Sequence, residues 1–186
     1  MAVQLTRRRF TVAEYVQLGR TGILHEDDRV ELIDGDIVEM SPLGEAHTSC
    51  VKRSAALFSK RFADMAIVSV QDPVRLNEHN EPQPDLALLR PKDDFYASGH
   101  PTPEDILLIV EVADSSLDYD LRTKLPMYAR AGVREVWVLN LIQSRLLVAV
   151  EPSPTGYQVT RVLRRGDVVS PSACPDVPIA VSDLLG

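Results

Sequence analysis

Asp85 and Glu111 are acidic residues set against continuous apolar runs, Leu86-Ala87-Leu88-Leu89 after the first and Ile106-Leu107-Leu108-Ile109-Val110 before the second. An unpaired carboxylate in such a place is costly to remove from water, so each must be neutralised, hydrogen-bonded or set against a cation. Two such acids at neighbouring strand ends suit a hard divalent cation such as Mg2+ or Mn2+, which takes oxygen ligands. A metal so held polarises a phosphoryl oxygen and lowers the pKa of a bound water, while a nearby ammonium orients that water or stabilises developing charge. Lys124, shortly after Glu111, is the candidate ammonium. Together the three are equipment for hydrolysing a phosphodiester. On spacing alone Lys124 has a plainer reading, a surface residue paired with Asp120 four positions earlier and worth about a few tenths of a kcal/mol.

The elements that must position these residues follow from pattern. Both apolar runs are short and flanked by breakers, as buried strands are. Pro84 has no amide hydrogen and suits the first residue of a strand, which puts Asp85 at a strand mouth. Asp114-Ser115-Ser116 reads as a turn, so Glu111 closes its own strand. The polar insert from Arg90 to Asp105, rich in proline, is expected as a loop beside the site. Leu121 to Ala131 is expected as a helix with Pro126 near its first turn and Gly132 ending it. Upstream, Thr11-Val12-Ala13-Glu14 opens a helix with capping-box spacing. Arg29 to Ile33 and Ile37 to Met40 flank Asp34-Gly35 as a hairpin, within which the face taken by Glu31 is ambiguous. A basic helix is expected from about Ala46 to Phe62, with His47 at its start as a capping or supporting residue. Ala66 to Val70 reads as a strand, with Pro73 to Leu76 as a possible continuation of the sheet. Glu135 to Asn140, Arg145 to Val150 and Tyr157 to Leu163 read as further strands, and the tail to Leu185 as a last helical turn.

Bulk figures bound the function. At 186 residues and 45% hydrophobic, the chain is long enough for one well-packed core, and a single domain over 1-186 is expected. No signal peptide or membrane span is recognisable, which leads us to expect a cytoplasmic protein. Cys50 and Cys174 are far apart and lack zinc-type partners, so two reduced thiols are expected. The formal charge of -7 counts against tight non-specific nucleic-acid binding through an overall basic field.

Pro84-Asp85, Glu111-Val112, Asp120, Lys124, Tyr128, Gly132-Val133, Glu135 and Trp137 resemble the pattern of the Uma-type family of restriction-endonuclease-like proteins, a bacterial branch of the PD-(D/E)xK nuclease superfamily. The resemblance extends upstream to Glu31-Leu32-Ile33-Asp34-Gly35 and His47. It implies an α/β, or α+β, restriction-endonuclease-like core, a mixed sheet flanked by helices with additional antiparallel hairpins. It further implies Asp85 and Glu111 as metal ligands and Glu31 as an additional catalytic acid. The superfamily's usual lysine lies two residues after the second acid, where this chain has Ala113, and Lys124 on the following helix is the matching residue. The expected activity is Mg2+- or Mn2+-dependent hydrolysis of DNA by a homodimer whose interface could use Val136 to Leu139 or its hairpin. The competing expectation is a nucleic-acid-binding or protein-interaction module that keeps the fold and cuts nothing.

Overall fold

The computed structural model describes residues 7–25 and 27–186. Helix α1 (Val12–Arg20) starts at the expected capping box, with Thr11 and Glu14 satisfying each other's backbone amides. Strands β1 (Val30–Ile33) and β2 (Asp36–Glu39) form a separate two-stranded hairpin. Its two-residue turn, Asp34-Gly35, has positive φ at both positions, 49° and 80°, as a turn matched to strand twist requires. Helix α2 (Glu45–Arg61) follows.

The main sheet has six strands in the order β3-β4-β5-β6-β7-β8, made of β3 (Ile67–Val70), β4 (Leu86–Leu89), β5 (Ile106–Ala113), β6 (Glu135–Asn140), β7 (Arg145–Ser153) and β8 (Gly156–Arg164). Only β5 and β6 pair in parallel, so the sheet is mixed. Parallel neighbours need a crossover, and a continuous helical run supplies it: α3 (Leu117–Tyr119), a π-type stretch (Asp120–Lys124) and α4 (Leu125–Arg130). Gly132, at φ 82°, ends α4, with Gly132 N–H donating to Ala129 and Val133 N–H to Tyr128. A short pair, β9 (Val168–Val169) with β10 (Ile179–Ala180), leads into α5 (Val181–Leu185).

Alternation along the strands gives the sheet two apolar faces. Leu108, Val110 and Val112 of β5 pack with Phe58 of α2, Trp137 and Leu184. Ile109 and Ala113 face the other way, with Met127 and Tyr128 of α4. Glu111 belongs by parity to this second face, which points it at the crossover helix.

Four expectations are corrected. Pro73 to Leu76 adds no strand, because its amides bond loop carbonyls: Val74 to Pro82, Arg75 to Pro101 and Leu76 to Asn80. The Arg90 to Asp105 loop is not beside the acids, because β4 and β5 are antiparallel, with Leu86 opposite Val110 and Leu89 near Ile106. It therefore joins the strand ends opposite Asp85 and Glu111. The crossover helix begins at Leu117 rather than Leu121, so Pro126 lies within the run. Val136 to Leu139 is fully buried between β5 and β7 and presents no interface; of the two edge strands, β3 and β8, β8 is the more exposed. Among the described residues, no helix is long and apolar enough to cross a membrane, and both cysteines are free.

Candidate active site

Antiparallel pairing of β4 with β5 sets Asp85, just before β4, beside the C-terminal part of β5, and the Asp85 amide lies 3.4 Å from Glu111 Oε2. Asp85 is fixed from three sides. Its Oδ2 accepts the Val112 amide at 2.8 Å and lies 3.1 Å from His47 Nε2, and its Oδ1 accepts from the Gln71 amide group at 3.2 Å. A carboxylate has about four acceptor positions, so Asp85 keeps capacity for one further partner.

Glu111 is 3% exposed. Its Oε1 accepts the Tyr128 hydroxyl at 2.7 Å and lies 3.3 Å from Lys124 Nζ, leaving Oε2 with only the long amide contact. Burial pushes the Glu111 carboxyl up to about 8, against the lowering pull of Lys124 and with Asp120 and Asp85 pushing the same way as burial.

Lys124 bridges two carboxylates. Its Nζ is 3.1 Å from Glu31 Oε2 as well as 3.3 Å from Glu111. Burial alone would lower its pKa, but Glu111, Glu31 and Asp120 outweigh that and hold it above the usual lysine range. Lys124 is thus an ammonium, buried to 6% exposure, and the solvent-exposed pairing with Asp120 that spacing suggested is not what forms. The π-type stretch accounts for its aim. Leu125 N–H bonds Asp120 O, five residues back, and the wider turn carries both Asp120 and Lys124 inward. Such stretches recur at functional sites.

Glu31 resolves the ambiguity of the hairpin: it points inward at 1% exposure. Beyond Lys124, it accepts the Tyr119 hydroxyl at 3.2 Å and the Gln83 amide at 3.2 Å. The hairpin is tied to the body here by a bridge between Leu32 and Glu81.

All four predicted residues, Glu31, Asp85, Glu111 and Lys124, therefore line one cavity of about 510 Å3. His47 takes the supporting position expected of it, against Asp85. Asp120, Tyr119 and Tyr128 are additions. Asp120 is buried, accepts the Ser116 hydroxyl at 2.7 Å, and has its pKa raised, chiefly by burial. Asp120 and Tyr128 belong to the resembling pattern and recur with Lys124 every four residues, whereas Tyr119 has no such signal.

The donor set fits a hard cation. Asp85 and Glu111 offer oxygen atoms with unused acceptor capacity, and the surrounding carboxylates outnumber the cations. Among the described residues, no group of three or more His, Cys, Asp or Glu side chains forms a ready-made metal cage. A two-carboxylate arrangement is what Mg2+ accepts, since it keeps several waters and takes the rest of its shell from phosphate.

Mixed sheet, parallel β5–β6 crossover and flanking helices define the restriction-endonuclease-like class of fold. A crystal structure described as "a putative nuclease belonging to DUF820", from Anabaena variabilis ATCC 29413, superposes with a TM-score of 0.74 over 95% of this chain and 97% of that one. At 15% identity the likeness is one of fold. No curated protein matches the chain. Residues 12–182 match the family Uma2, "Putative restriction endonuclease", and the chain belongs to that family.

Proposed function

We propose that this protein is a metal-dependent endonuclease that hydrolyses phosphodiester bonds of DNA, with Asp85 and Glu111 holding Mg2+ or Mn2+. The observation that carries the reading is the convergence of Asp85, Glu111, Glu31 and Lys124 from four separate elements on one cavity. Family membership and the fold agree with it. A divalent ion bound by the two acids supplies a Lewis acid and a water of lowered pKa.

The chain's own groups do the rest. Asp85, fixed by Val112, His47 and Gln71, is a preorganised ligand that loses little freedom on binding. Glu111 is oriented by Tyr128 and Lys124. Its raised pKa means that it gives up a proton when a cation arrives near neutral pH. Lys124 cannot serve as a base, because two carboxylates keep it charged. Its role is electrostatic: it faces the negative charge that accumulates on a transferring phosphoryl group. Glu31 holds that ammonium in place and orients the attacking water, and Tyr119 and Gln83 hold Glu31.

The test is cleavage of plasmid and linear DNA with Mg2+ or Mn2+, beside calorimetric titration of the ion. Asp85→Asn and Glu111→Gln should each lose ion binding and at least about 100-fold in rate, as removal of electrostatic catalytic groups does. Full activity in either variant would remove the assignment. Ion binding without cleavage of any nucleic acid would favour the non-cutting module.

A further inference from the structure

We infer that the site takes an unpaired strand of DNA, a single-stranded segment or a frayed end, rather than the side of an uninterrupted duplex. The inference rests on the nuclease reading and concerns what the cavity admits. Of the acids that would hold the ion, Glu111 is 3% exposed and the Asp85 side chain 13%, so neither stands on an open surface. The segment Met40–Gly44, which runs from β2 to the start of α2, lines the cavity and approaches the turn after β5. At Gly44 an added Cβ would lie 3.3 Å from the Asp114 carboxylate, so the segment and the turn meet closely there. The cavity, at about 510 Å3, has the size of a small-molecule pocket, which suits a single nucleotide unit.

Charge points the same way. A duplex presents one negative charge per about 1.7 Å of axis, and proteins that grip it neutralise several phosphates at once. Here six carboxylates line the cavity against one arginine, Arg29, and one lysine, Lys124. The lysine is already shared by two acids. A surface of that sign repels a duplex, with one charge per about 1.7 Å of axis, more strongly than a single strand, with one per about 3.4 Å. The cavity also offers what an unpaired base needs. Met40, Pro42, Leu43 and the half-buried Tyr119 are apolar or aromatic residues of its lining. Unpaired bases stack on such surfaces without regard to sequence, whereas in a duplex their faces are covered.

The experiment compares three labelled DNA substrates of one sequence with Mn2+: a single strand, a blunt duplex, and a duplex with unpaired tails. Anisotropy measures binding of the same three by the metal-free protein. Single strand and tails should be cut at least tenfold faster than blunt duplex and bound at least tenfold more tightly. Leu43→Glu, at an exposed position, should weaken single-strand binding at least tenfold with an unchanged thermal midpoint. Equal or faster cutting of blunt duplex overturns the inference while sustaining the nuclease reading. Preferential binding of the single strand with no cutting sustains the inference and overturns that reading. Failure to bind or cut any of the three overturns both.

Discussion

Replacing Lys124 with methionine keeps most of the side-chain volume and removes the ammonium that lies 3.1 Å from Glu31 and 3.3 Å from Glu111. With all three groups buried, breaking such a pair leaves uncompensated charge, at a cost of about 3–5 kcal/mol. The cost depends on pH because Glu111 can discharge itself. Its folded-state pKa of about 8 exceeds the ordinary 4.5, so between those values the folded chain holds a proton that the unfolded chain has released. The stabilisation from that proton is complete below 4.5, declines as pH rises through the window, and is gone above about 8. Removing Lys124 deletes the main influence lowering this pKa and extends the window upward. Urea denaturation should therefore show K124M destabilised by about 3–5 kcal/mol at pH 9. At pH 6, where Glu111 keeps its proton and Glu31 alone is left without its cation, the loss should be smaller by about 1.4 kcal/mol, the worth of one pH unit above a pKa of about 8. Adding Glu111→Gln to K124M should restore part of the pH 9 loss, because no orphan carboxylate then remains on β5. Equal losses at the two pH values, or no coupling in the double variant, would refute the reasoning.

Two further outcomes follow from the same carboxyl. Below about pH 8, Mg2+ or Mn2+ affinity should rise with pH, up to about tenfold per unit where one proton is displaced. Calorimetry in buffers of different ionisation enthalpy should count about one proton released per ion, and a pH-independent affinity from 6 to 8 would contradict this. Tyr128→Phe removes the buried 2.7 Å bond to Glu111, which should cost about 1–3 kcal/mol. It should also move the ion-binding profile to higher pH, as the loss of a hydrogen bond to the charged carboxylate requires; an unmoved profile would separate Tyr128 from the site.

Much of this was legible in the residues. The Asp34-Gly35 turn demanded positive φ and so announced the hairpin. The apolar runs beside Asp85 and Glu111 announced strands, and costly carboxylates within them announced a site. Glu31 was different: alternation in β1 could not choose its face, and only the resemblance to the Uma-type pattern singled it out. Lys124 looked like half of an ordinary exposed pair, because i to i+4 spacing is read on a regular helix. The π-type stretch alters that geometry and leaves no plain mark in composition. Tyr119, ahead of the expected helix start, was missed for a related reason, since proline at position 126 suggested a first turn. The placement of the Arg90 to Asp105 loop depended on strand direction, which local pattern does not encode.

The hairpin that supplies Glu31 is not a strand of the six-stranded sheet. It is a two-stranded appendage, and such pairs are marginal by themselves; among the described residues, a bridge to Glu81, the Gln83 contacts and the Lys124 cluster are among the ties that hold it. Readiness for chemistry and integrity of the scaffold are then separate quantities. Opening the hairpin alone would withdraw one acid and release the ammonium while the β4–β5 pair stays intact. Loss of the hairpin would then undo the cluster around Lys124 without unfolding the sheet.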